Sequence, residues 1–166
     1  MSFEHKAFAF DWQAFADEML PWISDALSTE DRERFARLVD ANLTLYRCPY
    51  DGRALSSSWK DFLDVGDAQE LADFALTKYY DPTDDHGLGE AWIEEEVMLP
   101  ENMRHALLGY PIVHFDPGRQ GSYVFAVDHA LNSAELLRKA KSALVREYAG
   151  FLEEVARRGY GVYVTF

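Results

Sequence analysis

The chain has 166 residues, 48% hydrophobic and 14% aromatic, and its acidic side chains outnumber the basic ones for a formal net charge of −13. That composition at this length predicts one globular domain, residues 1–166, with a substantial core, and excludes a disordered acidic tail. A field of this sign repels nucleic-acid phosphates and anionic lipid surfaces, so neither is expected as a partner, whereas a basic protein is attracted.

The first residues, MSFEHKAFAFDWQAF, lack the basic start, apolar core and small-residue cleavage site of a secretion signal. No apolar run approaches the roughly 20 residues needed to cross a bilayer. The lone Cys48 has no second cysteine to pair with. Together these features predict a cytoplasmic protein.

Residues 11–26 carry Trp12, Phe15, Met19, Trp22 and Ile23 at helical spacing, with a kink or break expected at Pro21. Ser28 with Asp31 predicts a cap for a second helix over 29–46, with Phe35, Leu38, Val39, Leu43 and Tyr46 on one side. Residues 48–52 are turn chemistry, and Trp59, Phe62 and Leu63 suggest a short helical turn. Asp67 with Glu70 forms a capping box for a helix reaching Lys78. Pro100 opens a helix that runs to Leu108, and Gly109 ends it. Strands are expected over 112–115 and 122–125, joined by the loop 116–121. Asn132 and Glu135 cap a long helix to Arg158, which would span roughly 40 Å, and residues 160–166 form a terminal strand. The pattern is α+β: several helices beside a small, mainly antiparallel sheet, with a long C-terminal helix followed by a strand.

The acid is concentrated between Asp81 and Glu101, where Asp81, Asp84, Asp85, Glu90, Glu94, Glu95, Glu96 and Glu101 stand with no Lys or Arg among them. Tyr79, Tyr80 and Trp92 are interleaved with them. Aromatics supply buried anchors at an interface and carboxylates orient a basic partner, so this stretch is the expected partner-binding surface. It does not fit a calcium loop. With Gly87 in the glycine position, Pro82 would replace the first Asp and Ile93 the last Glu. No metal and no cofactor is expected, because phosphate-loop, dinucleotide and Cys-rich motifs are all missing from the sequence.

His114 and Asp116 are two apart on the expected 112–115 strand and its edge, which would put both side chains on one face, with Arg119 nearby to hold an anion. No nucleophile motif accompanies them, since Ser122 lacks the two flanking glycines of a nucleophile elbow. The reading that follows is a small acidic cytoplasmic protein-binding module, such as an immunity-type inhibitor of a basic toxin, rather than an enzyme. The alternative is an enzyme or small-ligand binder for an anionic metabolite at His114, Asp116 and Arg119. A third reading is a homo-oligomer built on the long helix or terminal strand.

Overall fold

The computed structural model describes residues 3–63, 65–118 and 120–166. Its organising element is a strand that lies within six residues of the N-terminal end of the described chain. In β1 (Lys6–Phe10), Phe8 and Phe10 alternate with Ala7 and Ala9. This strand pairs antiparallel with β4 (Gly161–Thr165), matching Phe8 with Tyr163 and Ala7 with Val164. β4 also pairs with β3 (Tyr123–Phe125), and β3 with the two-residue β2 (Tyr110–Pro111), giving the order β1-β4-β3-β2, antiparallel throughout. The fold class is therefore α+β, with helices packed against an antiparallel sheet and the C-terminal helix followed by a strand.

Both faces of the sheet are covered, and along β1 the pleat sorts side chains by size. Phe8, Phe10, Tyr163 and Val124 point to one side, where they join a core supplied by α1 (Trp12–Glu18), α2 (Leu20–Ser28), α3 (Arg32–Ala41) and α4 (Ala68–Leu76). Ala7, Val162, Val164 and Phe125 point to the other. There they meet α6 (Glu101–Leu108), α7 (Val127–Leu137) and α8 (Ala143–Arg157). A sheet buried on both faces has no polar side to present to water, which is why its strands carry so few polar residues.

Local chemistry sets most boundaries. Asp11 and Asp31 cap α1 and α3 by accepting from the amides of Ala14 and Arg34. The expected helix over 11–26 is two helices that break at Met19, with Pro21 in the first turn of α2 where its missing N–H costs nothing. The helix expected over 29–46 is shorter, because Asp31 rather than Ser28 is the cap and a 3-10 turn, Leu43–Leu45, follows it. At α4 the Asp67 cap forms as the sequence suggests, accepting from the Glu70 amide, while Glu70 Oε2 reaches past the cap residue to the Gly66 amide.

Two expectations fail. Residues 112–115 are a turn, closed by the Phe115 amide donating to the Ile112 carbonyl, with His114 at φ 65°. Ile112 and Phe115 are both buried in the same core cluster, and a spacing of three cannot share one face of a strand. The helix expected from 132 to 158 is a helical hairpin. α7 and α8 pack against one another across a turn at 138–142, and Asn132 and Glu135 lie inside α7. Ser142 Oγ caps α8 through the Val145 amide, while Arg146 donates to the carbonyls of Ala140 and Lys141. β1 itself was not foreseen.

No described helix is long and apolar enough to cross a membrane. At one edge of the sheet, Pro111 offers no N–H, so the short β2 is a poor template for another strand. At the other, residues 85–89 run beside β1, and a Cβ on Gly87 would overlap the carbonyl oxygen of His5. Gly87→Ala is expected to cost about 2–3 kcal/mol in urea unfolding. Gly150→Ala on the open face of α8, where an added Cβ meets nothing, is expected to gain about 0.5–1 kcal/mol. Equal effects of the two would contradict this account of the β1 edge.

Candidate functional site

The acidic stretch divides into a part that serves the fold and a part that faces outward. Tyr79 and Tyr80 belong to the first part. Both are buried: Tyr79 packs on Phe10 and Phe15 and donates to Glu18 Oε2 at 3.0 Å, while Tyr80 lies against Phe8 and Tyr163. Their rings are core, so the outward surface of the stretch contains neither of them. Burial pushes both phenols above their ordinary value.

Residues 81–89 then substitute for a strand. Asp81 closes a turn by accepting from the Thr83 hydroxyl and amide, which hold its carboxyl below the usual range. Asp85 Oδ1 accepts from the amides of Ala7 and Gly87, taking the place of a strand carbonyl. The His86 amide donates to the Ala7 carbonyl, and His5 and Gly89 exchange two backbone hydrogen bonds. Asp84 pairs with His86 Nε2 at 2.9 Å, and the imidazole stacks on Phe151 at 4.4 Å. The edge of β1 is thereby satisfied by a loop whose acids work as hydrogen-bond acceptors.

His5 fastens this loop. Its side chain is fully buried, Nδ1 accepts from the Leu88 amide at 3.0 Å, and Nε2 has no hydrogen-bond partner among the described residues. Burial lowers its pKa to about 4, so the ring is neutral at pH 7. On the opposite face, Asp73 of α4 is enclosed with Tyr163, which hydrogen-bonds Ser122 Oγ in turn. Burial, reinforced by the charge of Glu70 and opposed by Lys6, pushes Asp73 up to about 7.

The outward part is α5 (Trp92–Met98). Trp92 is its anchor: the indole N–H donates to the Phe3 carbonyl at 2.9 Å and the ring lies 4.7 Å from that of Phe166. With Trp92 and Leu99 turned inward, the helical period turns Ile93, Glu94, Val97 and Met98 outward, and all four are exposed. Val97 is 65% and Met98 81% accessible. Glu95 and Glu96 are half-buried, and Glu90 is exposed just before the helix. Beside α5 lies a groove of about 620 Å³, with Met98, Leu99 and Met103 on one side and Lys139 and Lys141 of the α7–α8 turn on the other. The sequence reading found the acids of this helix and missed the apolar residues between them. Ile93 and Val97, four apart and so on one face of the helix away from Trp92, were the available signal.

The His114 site is not assembled as expected. The Asp116 carboxylate accepts from the Gly121 amide, and Gln69 holds the segment by donating to the His114 carbonyl and accepting from the Asp116 amide. The His114 side chain is exposed, and Arg119 lies outside the described residues. Among the described residues, no three His, Cys, Asp or Glu side chains are grouped to hold a metal ion. Cys48 is half-buried, and burial raises its thiol pKa, so nothing activates it.

Fold and surface together define an α+β protein with a sheet between two helical layers and an exposed apolar helix face, with glutamates along it and Lys139 and Lys141 across the adjoining groove. Comparison of the chain with protein-family models, with characterised proteins and with solved structures finds no match.

The two buried titrating groups give opposite pH dependences. His5 contributes stability that is present above pH 6.5 and is lost as pH falls towards 4, because the unfolded state then binds the extra proton. Asp73 contributes stability that is present below pH 4 and is lost as pH rises through about 7, because the folded state holds its proton longer than the unfolded chain. Asp73→Asn should therefore be more stable than the parent at pH 8, by about 4 kcal/mol, and close to it at pH 4. Denaturant titrations at the two pH values measure this, and a constant difference would remove Asp73 as the cause.

Proposed function

We propose that this is a cytoplasmic protein-binding module that captures a basic partner through the outward face of α5. Its specific form is an immunity-type inhibitor that occludes the cationic surface of a toxin. The observation that carries this reading is the exposure of Ile93, Val97 and Met98 around Glu94, at the end of a 21-residue span, 81–101, without a Lys or Arg. A helix normally turns such residues inward, and contiguous exposed apolar surface framed by charge is the composition of an interface. The three apolar side chains supply contact area, and Met98 adapts its shape to the partner. Glu90, Glu94, Glu95 and Glu96 raise the encounter rate with a cationic surface and disfavour acidic competitors. A partner whose own site must attract phosphates would meet carboxylates where those phosphates lie. The burial of Tyr79 and Tyr80 and the structural duties of Asp81, Asp84 and Asp85 confine the proposed contact to residues 90–98.

The test uses the chain as bait in lysate of its native host, beside a Val97→Asp variant of equal thermal stability. The expected result is a basic protein retained by the parent and lost from the variant. With that protein in hand, the Glu94→Gln/Glu95→Gln/Glu96→Gln variant should associate about tenfold more slowly at low salt and show a flatter salt dependence. The same proteins retained by Val97→Asp would sink the reading.

A further inference from the structure

A separate cavity lies on the α1–α4 side of the sheet, whereas α5 packs into the core on the other side. It encloses about 470 Å³, within the range of small-molecule sites. Its floor is Trp59 and Phe74, both buried, with ring centroids 5.1 Å apart. The plane of Trp59 is fixed, because its indole N–H donates to Asp40 Oδ1 at 2.8 Å and Lys60 holds the other oxygen of the same carboxylate at 2.6 Å. Two further rings stand at the mouth. Tyr50 is edge-on to Phe74 at 6.0 Å and 65% accessible, and Phe62 is 77% accessible. Folding gains little from the Phe62 ring in that position, and an exposed ring beside an aromatic floor is prepared to close on another ring.

The polar group at the rim defines the rest of the ligand. Arg53 lines the cavity, and its Nε donates to Asp51 Oδ2 at 2.7 Å while its backbone amide donates to Oδ1 of the same side chain at 3.0 Å. The guanidinium is thus oriented by one edge, and its terminal nitrogens make no hydrogen bond to any described residue. A planar fork with two parallel donors matches the two oxygens of a carboxylate. An aromatic box also suits an organic cation. Here, however, both nearby carboxylates are already paired, Asp51 with Arg53 and Asp40 with Lys60, and the guanidinium itself repels a second cation.

We infer that this cavity binds a small planar aromatic carboxylate, with its ring between Tyr50 and Phe62 above Trp59 and its carboxylate on the terminal nitrogens of Arg53. Binding is non-covalent. The site is independent of α5, so a ligand here neither needs nor tests the partner proposed above.

The experiment titrates the protein with naphthalene-2-carboxylate, following the Trp59 indole N–H by heteronuclear NMR and affinity by calorimetry. Naphthalene-2-methanol and 2-naphthylmethylammonium serve as the neutral and cationic counterparts. Saturable binding of the carboxylate below about 1 mM is expected, with the neutral compound about tenfold weaker and the cation weaker still. Arg53→Gln should remove that tenfold advantage and leave the neutral compound unaffected. Phe62→Ala should weaken both. Arg53 and Phe62 are exposed, so both variants are expected to fold, and melting temperatures within a few degrees of the parent confirm it. An unmoved Trp59 signal at millimolar carboxylate overturns the proposal. So does unchanged carboxylate affinity in Arg53→Gln, or a cation that binds as tightly as the carboxylate.

Discussion

The pairing of β1 with β4 is the constraint on which the rest of the structure depends. It brings residues 6–10 against residues 161–165 and creates a sheet that must be kept dry on both faces. The size alternation along β1 decides what covers each face. The Phe8 and Phe10 side is met by an aromatic layer from the first four helices and Tyr79 and Tyr80, whereas the other side is covered by α7 and α8, which pack on β4. Closing the outer edge of β1 then demands hydrogen-bond partners, and these come from residues 85–89 rather than from another strand.

That last requirement explains why the acidic stretch has two characters. Its first half is consumed by the fold: Asp85 substitutes for a backbone carbonyl, His5 holds Leu88, and Gly87 fits only because it lacks a Cβ. Its second half is freed by the same arrangement. Trp92, fixed to the Phe3 carbonyl and to Phe166, decides which way α5 faces, and the apolar residues on the far side of the helix are left in water. One short segment therefore shows both a carboxylate as structural acceptor and a carboxylate beside open apolar surface.

The sequence was most legible where structure is set by near neighbours. The Asp67 cap of α4 and the Pro100 to Gly109 helix depend on contacts a few residues long, and both helices start where expected. It was least legible where partners are remote. Lys6–Phe10 is five residues with alanine on one face, too weak a pattern to announce a strand that residues 161–165 complete. The break at 138–142 contains no Gly or Pro, and is made by Ser142 and by Arg146 reaching back to two carbonyls. For the acidic stretch, residue type was readable and direction was not. Tyr79 and Tyr80 adjoin Asp81 in the chain, yet the turn after α4 carries them beneath the sheet.

The β1–β4 pairing also bears on how the chain is made. A ribosome releases Phe8 and Phe10 long before it has synthesised Tyr163, the residue opposite Phe8. Contacts between segments so distant in sequence form late, after the entropy of closing the intervening chain has been met. Until then the edge of β1 that takes β4 stays open, and those two phenylalanines have the first four helices with Tyr79 and Tyr80 to shelter them. The strand that organises the finished molecule is thus held on one edge by residues 85–89 well before its other edge meets β4.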